Sequence, residues 1–184
     1  KNTAPVTILD FLKKEGFSRH ILSSMKNIPN AIILNGERGF GRSVLKPQDH
    51  LIVTVPEIES GENIIRTKMD LNIIYEDEDI LVINKPADMP VHPSAGNYEN
   101  TLANAVAWYY QSKGQTLVYR AINRLDRDTT GLLVIAKHLL AGCILSDQML
   151  NRQIHRQYRA IVCGKTEKEG IIDAPIGRAE DSTV

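Results

Sequence analysis

Cysteine is scarce in this chain, aromatic residues are few, and net charge is absent. Two cysteines occur in 184 residues, Cys143 and Cys163, and neither has a His or Cys beside it at metal-ligand spacing. That argues against a zinc site and against a disulfide framework, so both read as buried thiols. No run of eighteen apolar residues occurs, which is the length a membrane-spanning helix needs. The N-terminus also lacks the basic, apolar and small-residue succession of a secretory signal, so a cytoplasmic protein is expected. A composition of 42% hydrophobic and 24% charged residues excludes collagen, coiled coil and disorder and leaves one domain of moderate size or two small ones.

The balance of 22 basic and 22 acidic residues hides a segregation. Residues 1–56 carry eight Lys/Arg against four Asp/Glu, residues 57–101 three against ten, residues 102–165 nine against three, and the tail two against five. Two basic blocks therefore flank an acidic one. A polyanion responds to local potential, so the first and third blocks could both contact nucleic acid despite the neutral total. Mixed surfaces of this kind are also ordinary solvated faces.

The elements follow from local pattern. Ile8, Leu9, Phe11 and Leu12 form one stripe, Gly16 breaks it, and Ile21, Leu22 and Met25 restart it after Ser18. This predicts two short helices, with Ser18 capping the second and Arg19, His20 and Lys26 on its outer face. AIIL, stopped by Asn35-Gly36, and LIVTV at 51–55 read as strands. Residues 57–70 are acidic without sustained period, which fits a linker over 61–70. Two further strands are predicted at Ile73–Tyr75 and Ile80–Asn84, around the acidic turn Glu76-Asp77-Glu78-Asp79. A tight turn points neighbouring carboxylates apart, so a calcium site is not expected there. Pro86, Pro90 and Pro93 impose an irregular loop, and Thr101 is placed to cap a helix through Tyr109 that Gly114 ends.

Chemistry concentrates in AINRLDRDTTGLLVIAKH, residues 121–138. Arg124, Asp126, Arg127 and Asp128 crowd a Thr-Thr-Gly turn leading into a strand at Leu132–Ala136, although a strand entrance does not need four alternating charges. A structural ion-pair network is the plain reading. Asp126, Asp128 and Thr130 literally match the D-x-D-x-T pattern of magnesium-dependent phosphotransferases. That motif follows an apolar strand, however, whereas here the apolar run comes after it.

Two resemblances organise these motifs. Residues 6–56, through Asp10-Phe11-Leu12, Ser18-Arg19, Leu34-Asn35-Gly36 and Leu45-Lys46-Pro47-Gln48-Asp49, resemble the small RNA-binding domain named after ribosomal small-subunit protein four. Asn-Arg-Leu-Asp-Arg-Asp-Thr-Thr-Gly-Leu-Leu-Val-Ile-Ala-Lys at 123–137 resembles the H-R-L-D-x-x-T-S-G-L-L-x-x-A-K signature of RluA-type pseudouridine synthases. YEDEDILVINKPADMPVHPS at 75–94 is similar to that family's first motif, and RQYRAIVCG at 156–164 to its K-x-Y-x-A-x-V-x-G strand. The ordered match runs through Ile176-Gly177-Arg178.

The resemblance implies an α+β chain. A helix-helix-strand RNA-binding module (1–60) would be followed by the N-terminal part (71–184) of a mixed, mainly antiparallel-sheet synthase domain. The implied reaction isomerises uridine within RNA, ribosomal RNA in the first instance, without cofactor or metal. Asp126 would be the catalytic carboxylate, acting at C1′ or on a sugar proton. Tyr158 would stack on the uracil and Arg124 would fill the gap left by the extruded base. Arg127, with Arg152, Arg156 and Arg159, would contact phosphates, and Asp128 would pair or cap the turn at Thr130. Asn123 stands where most members have His, and both residue types can hydrogen-bond. The family's G-R-T-H-Q-I-R-type segment, which carries the basic partner of the aspartate, has no match. The chain as given is therefore expected to be crippled unless Arg124 or Arg127 does the pairing. A non-catalytic RNA-binding protein is the other class.

Overall fold

Two hydroxyl side chains decide where the first helices begin. Thr7 Oγ1 accepts the Asp10 N–H at the start of α1 (Ile8–Lys14), and Ser18 Oγ accepts the Ile21 N–H at the start of α2 (Arg19–Met25). Each bond satisfies a donor that a helix end leaves open. Their inward residues Ile8, Leu12, Ile21 and Met25 are buried. Beyond them β1 (Ile32–Leu34), β2 (Glu37–Arg38) and β3 (Leu51–Val53) make an antiparallel sheet in the order β2-β1-β3. Asn35 and Gly36 both adopt positive φ, 52° and 85°, as the two-residue turn between β1 and β2 requires. These observations come from a computed structural model that describes residues 5–57, 64–175 and 177.

The second sheet is also antiparallel, with β4 (Ile73–Glu76), β5 (Ile80–Lys85) and β6 (Gly131–Ala136) in that order. Period-two alternation sends Leu81 and Ile83 of β5 and Leu133 and Ile135 of β6 inward. There they meet Leu102, Val106 and Tyr110 of α3 (Leu102–Ser112). Thr101 caps α3 as its sequence position suggests, in a reciprocal capping box with Asn104. Residues 64–70 contain neither helix nor strand and lie along α3, where the Asn104 side chain donates to the Ile65 carbonyl at 2.7 Å. Residues 61–63 of the expected linker fall outside the described residues.

Three features depart from the sequence reading. A fourth helix, α4 (Leu139–Leu150), follows β6 directly and is capped by His138, whose Nδ1 accepts the Ala141 N–H. Residues 155–175 form no strand, and Ile161 and Val162 are exposed. A strand is stable only when its backbone groups pair with a neighbour, and no described strand pairs with this segment. Cys143 is half-buried and Cys163 exposed, so neither is the buried thiol expected, Cys163 because its segment lacks regular structure. The chain divides by contacts into two units, Lys1–Ile154 and His155–Val184. Among the described residues no helix is long and apolar enough to cross a membrane.

The acidic turn is structural. Asp77 Oδ1 accepts the N–H groups of Asp79 and Ile80, both at 2.8 Å, while Asp79 meets His138 Nε2 at 2.7 Å. Glu76 faces the other way. Its carboxylate accepts from the Tyr109 and Tyr110 hydroxyls at 2.6 and 2.9 Å and from the Lys137 and Lys113 ammonium groups at 3.1 and 3.3 Å. Among the described residues no three His, Cys, Asp or Glu side chains converge as a metal site would need.

Burial raises the Glu76 pKa, but the bonds from Tyr109, Lys137, Tyr110 and Lys113 outweigh that effect and bring it to about 2, from an ordinary 4.5. A folded-state pKa below the unfolded value contributes stability that is present above pH 4.5 and lost as pH falls toward 2. Urea denaturation across this range is expected to show the loss in the native chain and a flattened acid limb in Glu76→Gln. Parallel acid loss in both proteins would contradict the depressed pKa.

Candidate functional site

Lys85 occupies an inward position of β5, sharing the parity of Leu81 and Ile83, and its side chain is fully buried. Its ammonium group donates to the carbonyls of Pro86, Met89 and Arg127, each at 2.8 Å. An ammonium has three N–H donors, so its hydrogen-bonding capacity is saturated. The Arg127 carbonyl accepts from the Met89 N–H as well, at 3.2 Å. One charged side chain thus ties the Pro-rich loop after β5 to the turn before β6. That loop is anchored on its far side by α3, whose Leu102 and Ala103 N–H groups donate to the carbonyls of Pro90 and Val91. Tyr119 supports it too, donating its hydroxyl to the Val91 carbonyl at 3.2 Å, and burial pushes the phenol pKa up.

The turn itself is closed by the Thr129 N–H donating to the Asp126 carbonyl at 3.1 Å. Gly131 then enters β6 opposite Lys85 with φ of 125°, a conformation that side chains oppose. Asp126 and Asp128 are exposed on this turn. Burial lowers the Lys85 pKa, and the carboxylates of Asp128 and Asp126 oppose that shift, so both aspartates lie within its field. All three Lys85 protons go to carbonyls, so none is left to bond the exposed Asp126 carboxylate.

Arg127 pairs with Asp88 on the Pro-rich loop, its Nε 2.6 Å from Oδ1, and so is engaged there instead of neutralising Asp126. Arg124 is exposed, two residues before Asp126. Lys85 is a buried cation behind the turn that the sequence reading did not single out. Its signal is a lysine at an inward strand position, directly before Pro86. Asp128, exposed on the turn, makes no capping bond to Thr130, and its charge raises the Lys85 pKa against the effect of burial. Tyr158 is 62% exposed and belongs, with Arg156 and Arg159, to the second unit, while Arg152 follows α4.

Asn123, the departure from the family pattern, has a clear role. Its Oδ1 accepts the Val134 N–H at 2.9 Å and its Nδ2 donates to the Leu132 carbonyl at 3.2 Å. With the Ile122 N–H donating to Val134 O at 2.8 Å, the side chain extends the free edge of β6 and fixes where the Arg124–Asp126 segment leaves the sheet.

Replacing Lys85 by Met would remove the ammonium donor from the carbonyls of Pro86 and Met89 and leave the Arg127 carbonyl only the Met89 N–H. Loss of several buried partners is expected to cost about 3 kcal/mol or more. Chemical denaturation checks this, and a Lys85→Met chain within about 1 kcal/mol of the native one would remove the lysine from its organising role.

The model of the RNA pseudouridylate synthase family matches residues 79–184. The chain is 37% identical over 180 residues to the uncharacterized RNA pseudouridine synthase YjbO of Bacillus subtilis, covering 97% of this chain and 64% of that protein. It is 39% identical over 159 residues to ribosomal large subunit pseudouridine synthase D of Pasteurella multocida, covering 86% of this chain and 45% of that protein. The chain thus spans between about half and two thirds of the length of these relatives. Human RNA pseudouridylate synthase domain containing 1 overlays 52% of the chain and 31% of its own length with a TM-score of 0.37 and 23% identity. A family model that matches more than half of the sequence, with Asp126 and the strand behind it inside the match, places this chain in the RNA pseudouridylate synthase family.

Proposed function

We propose that the protein isomerises uridine to pseudouridine in structured RNA, ribosomal RNA in the first instance, with Asp126 as the catalytic carboxylate. The observation that carries this reading is the exposed Asp126 turn fixed beside the buried, saturated ammonium of Lys85. A carboxylate that acts at the ribose, by attack at C1′ or removal of a sugar proton, must remain ionised when substrate displaces water. Lys85 supplies a positive field that needs no rearrangement on binding. Arg124, exposed beside the turn, is suited to enter the RNA stack, and Tyr158 offers an aromatic face for the extruded base. Arg127 can exchange its exposed partner Asp88 for a phosphate at little cost, since surface ion pairs contribute at most about 1 kcal/mol. Ribosomal RNA is favoured by the name of the Pasteurella multocida relative. No cofactor is called for, and the cytoplasm is the compartment where such RNA is met.

Asp126→Asn is expected to lower pseudouridine formation by about a thousandfold or more while RNA affinity stays within a few-fold, because the two side chains are isosteric. Asp128→Asn is expected to retain turnover within about tenfold, since its carboxylate acts only through the field at Lys85. Mass mapping of pseudouridine in RNA treated with each variant measures this. Retained turnover in Asp126→Asn would overturn the assignment, and equal loss in both variants with a magnesium requirement would point to phosphoryl transfer.

The segregated charge leads to a second expectation. Lys/Arg contacts release condensed counterions, so log affinity for RNA is expected to fall linearly with log salt, by about 0.7 per phosphate contacted on a single strand. Affinity that ignores salt would show that the two basic blocks do not meet the RNA.

A further inference from the structure

Strand β6 pairs with β5 on one edge, and its other edge is met by the short run of chain that leads into the Asp126 turn. Ala121 bridges Ile135 in antiparallel fashion. Around that bridge the Ile122 N–H donates to the Val134 carbonyl at 2.8 Å and the Ala136 N–H to the Arg120 carbonyl at 2.9 Å. If this ladder continued, its next bonds would run from the Val134 N–H to the Ile122 carbonyl and from the Arg124 N–H to the Leu132 carbonyl. The Asn123 side chain takes both places. Its Oδ1 accepts the Val134 N–H at 2.9 Å, and its Nδ2 donates to the Leu132 carbonyl at 3.2 Å. A carboxamide carries the acceptor and the donor of a peptide group side by side, so it can stand in for two backbone partners at a sheet edge.

The bridged pairing accordingly ends at Ala121, and the backbone from Ile122 to Arg124 is released from the sheet. Beyond the turn the chain is caught again, because the Arg127 carbonyl accepts from Lys85 at 2.8 Å. Arg124, Leu125 and Asp126 therefore span two anchors, one on the edge of β6 and the other on the last residue of β5. Without the carboxamide, the Val134 N–H and the Leu132 carbonyl would stand open on a strand edge. Their backbone partners lie in the adjacent chain, and open edge groups favour pairing. Extending the ladder by that step would draw Arg124 onto the sheet, and a span of three residues would carry Asp126 with it.

We infer that Asn123 is a positioning residue for Asp126. By exchanging two backbone bonds for two side-chain bonds it stops the ladder short and sets the point at which the chain leaves the sheet. The catalytic half of this inference rests on the function proposed above; the ladder half does not.

Amide exchange tests the ladder half. In the native chain the Val134 amide is expected to be protected and the Arg124 amide to exchange about a hundredfold faster or more. Asn123→Leu keeps much of the volume and makes neither bond, so Arg124 is expected to gain about tenfold or more in protection as it pairs with Leu132. An Arg124 amide as slow as that of Val134 in the native chain, or no gain in Asn123→Leu, would overturn the ladder stop. Asn123→His provides a gentler variant, because the two ring nitrogens point apart and serve one of the two groups at a time. Should Asn123→Leu fail to fold, the native exchange pattern and Asn123→His carry the test, with a smaller gain at Arg124 expected and no gain overturning it.

Turnover tests the catalytic half, on RNA that the native chain modifies and per RNA-binding site counted by stoichiometric titration. Asn123→Leu is expected to lower kcat per site by about tenfold to a hundredfold with KM within about threefold, and Asn123→His to recover part of that loss. A merely less folded protein would lose sites while each remaining site turned over at the native rate. That result, or a change confined to KM, would overturn the positioning role. If the native chain modifies no RNA while the exchange pattern is as expected, the proposed function has failed and the ladder stop stands.

Discussion

A buried ammonium ion with all three protons bound to backbone carbonyls is the constraint on which the site depends. Lys85 ends β5 inside the sheet, and its partners come from the loop directly after it and from a turn 42 residues away in sequence. A bare buried charge is costly, and in this geometry the carbonyl dipoles and the two nearby carboxylates offset that cost. Because the donors are saturated, the loop and the turn cannot move independently without exposing an unsatisfied group. The position of Asp126 is therefore set by β5 and β6, the most regular part of the fold, and not by the turn's own preferences. This is how a site on a loop acquires the rigidity of a sheet.

Neighbouring charges are disposed by the same logic. Arg127 contributes its carbonyl to Lys85 and its guanidinium to Asp88, so one residue braces the loop from both ends of its own structure. Glu76, at the other end of the β4–β5 hairpin, collects two phenols and two ammonium groups from α3 and from the end of β6. The sheet is therefore pinned to α3 by a carboxylate at one end and to the turn by an ammonium at the other. Between them Leu81, Ile83, Leu133 and Ile135 supply the apolar contact.

What was legible in the sequence follows from the range of the interactions. Ser18 and Thr101 cap helices through bonds three residues long, and Asn35-Gly36 sets a hairpin by backbone preference alone, so pattern sufficed for all three. The edges of β5 and β6 were readable to within a residue, yet that residue mattered. Ending β5 at Asn84 leaves Lys85 in the loop, whereas its parity with Leu81 and Ile83 buries it. Helix α4 escaped notice because Leu, Ala, Cys and Ile occupy nearly every side, leaving no amphipathic period to detect. RQYRAIVCG is expected as a strand only through the family resemblance, but pairing is a property of two segments, and the described strands leave it without a neighbour.

The two ends of α4 meet different surroundings: Leu139, Leu140 and Cys143 pack against Ile21, Met25 and Ala31, while Ser146 and Asp147 are exposed. Within the acidic block of residues 57–101, several carboxylates are engaged by the chain itself. Glu57 caps α4, Glu76 binds α3, Asp77 closes its own turn and Asp88 holds Arg127. Acids bound to their own chain repel a polyanion less than free ones, since each is partnered by a donor or a cation.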